Sequence, residues 1–390
     1  MIQKNIPELT ACRALAAFAV LIQHGIDVSF TYSGKLILHS YVAPLGYIGM
    51  SIFFVLSGFV ITYNYSHFFY EKKWLEAFKY FSIARFSRLY PLYFIFFILS
   101  LNYMPSPQFN NELITYLSYL TLTQCWFNLE MTTFNVAWSI SSECFFYLAF
   151  AVFALFPFRS TTSRSRKIEA VLVSVGIVGL LYFLFCNQEA ILSFLIQHFS
   201  HRSYPGDNVW IWFEYNSPYM RIFDFIVGTY AARIFLADSK QNTYVEPTLR
   251  VKVMTLASLS AIAFLLMCSA FTLFAESFLF FLTKNFAYSP FLAYLIYASA
   301  RYKNFVSRFL TNKWLIAAGE ISYSVYIVQA WTISLVTYSS PAPMLLGYFN
   351  SCVKFALILV LTTAFGYGSY NVLEIPSRKF LRNRLHALFS

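Results

Sequence analysis

The chain has 390 residues, of which 58% are hydrophobic and 12% charged, and its formal net charge is +11. That composition excludes an ordinary soluble domain and points to an all-α polytopic membrane protein. It also speaks against a nucleic-acid partner, which would need a soluble basic face. The 45 Phe and 29 Tyr suit a lipid-facing chain anchored at both interfaces. The six cysteines stand singly, without a CxxC pair or metal-ligand spacing, so neither a disulfide framework nor a metal site is expected.

The first apolar run, Ile6 to Asp27, carries Arg13 and His24 in its interior. Eleven helical steps of ~100° bring the two within ~20° of one face and roughly 16 Å apart along the axis. Ionisable groups inside a span are costly and usually face a bundle interior or a water-filled cavity. The plainer alternatives are snorkelling for Arg13 and an interhelical hydrogen bond for His24. A cleavable signal peptide is not expected, because the run lacks a basic opening and a small-residue cleavage site.

Apolar runs of spanning length lie near 9–28, 44–64, 86–104, 138–157, 169–187, 218–237, 252–273, 278–299, 315–337 and 351–372. The shorter, polar-dotted run 113–126 reads as re-entrant or interfacial. Ten spans put both termini on one side. If that side is the cytoplasm, 22 of the 28 basic residues fall inside, and the exceptions are Arg13, Lys35, Arg202, Arg221, Lys284 and Lys354. Such a bias fixes the expected orientation. The larger outer loops are then 29–43, 105–137 and 188–217, and the last is long enough for a lid or an acceptor platform. No repeat or linker divides the chain, which reads as one domain over residues 1–390.

Several motifs bear on chemistry. In GYIGMSIFFVLSGF, Gly46, Gly49, Ser51, Ser57 and Gly58 offer small surfaces for close helix approach. Ser57 lacks a nucleophile-elbow context. In RFSRLYP, Arg85 and Arg88 share a helix face at the inner surface, and Pro91 permits a kink. Paired guanidinium groups suit a phosphorylated ligand, although topology alone could also explain them. WSISSECFFY opens the fourth span and places Glu143 about one and a half turns in, at a depth similar to His24. Glu143 could therefore orient the imidazole, with Asp27 as a competing partner nearer the lip. Arg221 and Asp224 read as a structural ion pair. Glu320 and Glu374 could pair with Arg85 or Arg88. His198 and His201 form an HxxH without a helical frame, a weak metal signal.

In order and spacing these segments resemble the integral-membrane acyltransferase 3 family. The matching positions are Arg13 with His24, Gly49 to Phe59, Arg85 with Arg88 and Pro91, Trp138, Ser139, Glu143, Phe146 and Tyr147, and the ISYSVY run Ile321 to Tyr326. Gln329 departs from the pattern, since many members carry histidine there, and that position is not expected to be essential. The extra SGNH-type extracellular domain of some members is not expected either.

The resemblance implies transfer of an acyl group, usually acetyl from acetyl-CoA, to a hydroxyl of a surface or lipid-linked glycan such as O-antigen, lipopolysaccharide or exopolysaccharide. It implies a multi-pass protein of the bacterial inner membrane. His24 is expected as general base, with Glu143 or Asp27 holding its tautomer and Arg13 stabilising the thioester oxygen or a CoA group. An acyl-histidine intermediate is a two-step variant. Arg85, Arg88 and Arg13 are expected to hold acetyl-CoA. Trp138, Ser139 and Tyr147 are expected to contact substrate. The competing class is a transporter or flippase of a glycolipid or small solute, which would show inverted repeats and paired broken helices.

Overall fold

A bilayer offers no water to backbone amides, so long apolar runs satisfy their hydrogen bonds as helices. The computed structural model describes residues 6–32, 35–101, 112–129, 134, 136–154, 162–199, 207–238, 244–272, 275, 277–339 and 347–389. It is all-α apart from a two-stranded ribbon. In chain order, α1 (Pro7–Ser29) leads through strands β1 (Thr31–Tyr32) and β2 (Lys35–Leu36) to α2 (His39–Glu71) and α3 (Trp74–Leu101). The short α4 (Glu112–Leu120) and a single turn at Gln124–Trp126 precede α5 (Ala137–Phe153) and α6 (Ser163–Cys186). Then come α7 (Gln188–Phe199), α8 (Asp207–Ile211), a π-helical turn Trp212–Asn216, α9 (Pro218–Asp238) and α10 (Leu249–Ala270). Last are α11 (Phe278–Asn285), α12 (Ser289–Arg301), α13 (Phe305–Leu310), α14 (Lys313–Glu320), α15 (Ser322–Ser339), α16 (Gly347–Ser369) and α17 (Ile375–Phe389).

Ten helical units follow the ten apolar runs. Among the described residues, six helices are long and apolar enough to cross a membrane unaided: α1, α2, α3, α6, α10 and the continuous unit Phe349–Arg384. The other four units depart for local reasons. Helix α5 has 17 residues. Helix α9 carries the buried Arg221 and Asp224 in its first half. The eighth unit breaks between α11 and α12, where Pro290 sits in the first turn of the second piece and could not continue the first. The ninth breaks between α14 and α15 at Ile321.

Helices α1, α2 and α9 form the centre. A side chain at Gly58 would put its Cβ 2.1 Å from the Phe225 carbonyl, and one at Gly228 would put it 1.9 Å from that of Val55. Only glycine lets these two backbones touch, as the small-residue run predicts for α2. Gly46 lies on the Gln23 side chain, and Gly49 on Val20 and the Ala16 carbonyl. Numbering thus falls along α1 as it rises along α2, so the two helices are antiparallel and share a depth scale.

The segment Glu112–Trp126 packs over the start of α5. Its Tyr119 and Cys125 are buried. Ser141 donates to the Leu122 carbonyl at 2.8 Å, Gln124 donates to the Ala137 carbonyl at 3.1 Å, and Trp126 donates to the Ser141 carbonyl at 3.1 Å. These bonds cover the first turns of α5. That helix therefore starts beneath a packed segment of the chain.

Candidate active site

Helix α1 carries two polar centres on one face, both turned towards α15. The inner centre is a cavity of about 80 Å³ among α1, α2, α3, α5 and α15. Arg13, Arg85 and Arg88 line it together with Ser57, Ser139 and Glu143. Glu143 accepts hydrogen bonds from Ser57 at 3.0 Å and from Tyr147 at 2.7 Å. Among the described residues no carboxylate lies within ion-pair distance of any of the three arginines. Arg85 is buried over the Tyr65 ring at 4.5 Å, and its Nε has no hydrogen-bond partner. Three guanidinium groups against one carboxylate make the cavity net positive. A buried donor without a partner is costly, so a bound anion would stabilise this arrangement.

A hydroxyl pair lines the cavity between α5 and α15. Ser139 and Tyr326 hydrogen-bond at 2.8 Å, and the Tyr326 hydroxyl also donates towards the Val136 carbonyl at 3.2 Å and lies 3.8 Å from the Met50 sulfur. Three residues beyond Tyr326 along α15 is Gln329, at the second centre, around His24. The Gln329 amide lies next to the His24 ring. Gln329 is fully buried, and neither of its amide atoms has a partner of good hydrogen-bond geometry. Asp27 is occupied elsewhere: its Oδ2 meets His39 Nδ1 at 3.0 Å and accepts from Gln23. It acts on His24 through its charge.

These positions correct one expectation. Glu143 and His24 do not share a depth. Glu143 is bonded to Ser57, eleven residues beyond Gly46, while His24 adjoins Gln23 at the level of Gly46. Eleven residues of helix are roughly 16 Å. The segment packed over the first turns of α5 is the cause, because that helix starts beneath it. Of the expected substrate contacts, Ser139 lines the cavity, whereas Trp138 and Tyr147 stand behind it. Trp138 packs on Phe54 and Tyr215, and Tyr147 supports Glu143.

The remaining expectations divide. Arg221 and Asp224 pair at 3.6 Å, fully buried, with the guanidinium 4.1 Å above the Tyr215 ring. Ser289 donates to Asp224, so this cluster also pins the break between α11 and α12. Neither Glu320 nor Glu374 pairs with Arg85 or Arg88. Glu374 accepts instead from Ser324 at 2.5 Å and feels Arg88 at longer range. Most outlying bases have a use: Lys284 bonds Glu214 at 3.2 Å, and Lys354 reaches the Val28 carbonyl at 3.4 Å. Burial pushes the Glu214 carboxyl above the usual carboxylate range, and the Lys284 ammonium opposes that shift. His198 sits on α7 and meets the Phe194 carbonyl, and no metal-ligating cluster occurs among the described residues. His201, Arg202, Lys4, Arg159 and Lys240 lie outside the described residues. Gln329, which departs from the family pattern and is not expected to be essential, is instead buried beside His24; burial and a neighbour on α1 give its amide a place that residue type alone does not show.

The model of the acyltransferase domain family matches residues 6–370. The chain belongs to this family. Two curated relatives are similar to it. The peptidoglycan O-acetyltransferase OatA of Listeria monocytogenes is 23% identical over 356 residues, covering 87% of this chain and 50% of the relative. The acyltransferase MdmB of Streptomyces mycarofaciens is 30% identical over 160 residues, covering 37% of this chain and 38% of the relative. The chain thus spans half or less of the length of these relatives. No solved structure matches it.

Proposed function

We propose that this protein moves an acyl group, acetyl in the simplest case, from a cytoplasmic acyl-CoA to a hydroxyl of a surface or lipid-linked glycan. One observation carries the reading: a three-arginine cavity without a paired carboxylate and a histidine beside a buried amide lie on the same face of α1, one above the other. The loop-charge bias turns the cavity inward and His24 outward. A polyphosphorylated donor is cytoplasmic, and a glycan being finished for export is outside, so each centre faces its expected substrate. The peptidoglycan O-acetyltransferase relative supports both the acetyl group and a glycan acceptor.

In this reading Arg13, Arg85 and Arg88 hold the anionic part of the donor, and the thioester arm reaches outward past Ser139 and Tyr326. Neutral His24 takes the proton of the acceptor hydroxyl. The hydroxyl oxygen bonds to the acyl carbon, the carbon–sulfur bond breaks, and the proton passes to the departing thiolate. Ester and free CoA thiol are the products. Gln329 is the positioning residue that orients the imidazole. Its amide can donate to or accept from a ring nitrogen, so it can hold one tautomer.

Mass spectrometry of surface polysaccharide and lipopolysaccharide from deletion and complemented strains tests the reading. A mass difference of one acetyl group that returns on complementation is expected. Identical glycans in both strains would contradict it and favour transport. The transporter reading gains little from the helix break at 286–288, since a buried ion-pair cluster pins that break.

A further inference from the structure

A separate crevice of about 870 Å³ lies on the far side of α9, bounded by α6, α9, α10 and α12. Its floor is built of Val227, Ala231 and Ala293, which are buried. Its lips carry exposed apolar side chains, Val171 and Val175 on α6 and Met254 on α10. Two of the four tyrosine hydroxyls along it are engaged within the protein: Tyr294 donates to the Val251 carbonyl at 3.3 Å, and Tyr297 to Asp238 at 2.6 Å. The walls therefore present mostly hydrocarbon and aromatic ring.

The crevice has a direction and a length. On α6 its lining runs from Lys167 to Val178, eleven helical steps, and along α12 from Pro290 to Tyr302 at its C-terminal end, twelve steps. At 1.5 Å per residue that is roughly 16–18 Å, close to half of a ~30 Å hydrocarbon core. One end lies at the bundle's middle. The other end lies at the loops that the charge bias places in the cytoplasm, and there the lining carries Lys167, Arg250 and Thr248. Lys167 is shared with Asp238 at 3.3 Å, while Arg250 has no ion-pair partner among the described residues.

We propose that this crevice holds an anionic phospholipid of the inner leaflet, with its acyl chains along α6 and α12 and its phosphate at Arg250 and Lys167. Leaflet depth, apolar walls and a cationic end each match one part of such a molecule. The site is independent of the acyl-transfer reading, because it shares no residue with the arginine cavity or with His24.

The test reconstitutes the protein in vesicles of phosphatidylcholine alone or of phosphatidylcholine and phosphatidylglycerol in equal parts. The protein is then extracted in mild detergent, and retained lipid is counted by native mass spectrometry. Wild type should retain phosphatidylglycerol in preference to phosphatidylcholine. Arg250→Gln should lower that preference about fivefold, the usual effect of one basic side chain at a membrane surface. Ala170→Trp, which fills the crevice from α6, should abolish retention. Equal retention of both lipids, or an unchanged preference in Arg250→Gln, would overturn the proposal. So would wild-type retention in a folded Ala170→Trp protein, and if that variant does not fold, Arg250→Gln decides alone. Protein taken directly from its native membrane should carry a phospholipid mass, and a polyprenyl diphosphate mass in its place would contradict the choice of occupant.

Discussion

The two ends of α1 solve the problem of an ionisable group in a membrane in opposite ways. At the inner end Arg13 joins two further guanidinium groups around an open cavity, and the charge is left for a ligand to neutralise. At the outer end His24 lies beside one buried amide, with Asp27 and His39 occupied by one another. The first arrangement is suited to binding an anion of variable shape. The second is suited to holding a ring nitrogen in one orientation. On the proposed reading, binding falls to one end and proton transfer to the other, and Glu143 goes with the binding end.

Substitutions at each end should therefore fail differently. His24→Ala should lower acyl transfer by about 10²–10⁴-fold at normal protein level, read as acetyl content of the product. Activity within a few-fold of wild type would remove the histidine from the mechanism. Arg88→Ala should raise KM for acetyl-CoA by about 10- to 100-fold with little change in kcat, the signature of a lost charge-assisted contact. A fall in kcat alone would move Arg88 out of the binding end. Gln329→Leu should lower kcat about fivefold and shift the pH profile of kcat, while Gln329→His, which keeps a ring nitrogen beside His24, should restore most of both. A loss of protein level with an unchanged pH profile would mark Gln329 as a packing residue. The smallest effect belongs to Glu143→Gln. Removing the one carboxylate from the arginine cavity should lower KM for acetyl-CoA by at most a few-fold and leave the pH profile of kcat unmoved. A shifted profile would show that Glu143 acts on His24 from the binding end.

Much of this arrangement is legible in the residues themselves. Ten apolar runs become ten helical units, and the eleven-residue spacing does put Arg13 and His24 on one face. Arg85 and Arg88 meet Arg13, as their motif suggests. What periodicity cannot supply is depth. A run that begins at Trp138 looks like a span that begins at the surface, and only the fold shows that Leu122–Trp126 packs over its start. The broken units were hidden for the same reason: Pro290 and Ile321 sit in apolar runs that read as continuous. Gln329 stands out in the sequence only as a departure from the family pattern, because burial and proximity, not residue type, set it beside His24.

The central claim is that donor and acceptor meet this protein from opposite sides. Proteoliposomes of defined orientation, given radiolabelled acetyl-CoA on one side and glycan acceptor on the other, measure it directly. Transfer should occur when acetyl-CoA is on the side of Arg85 and Arg88 and the acceptor is on the side of His24. Transfer with acetyl-CoA supplied only on the His24 side would contradict the account.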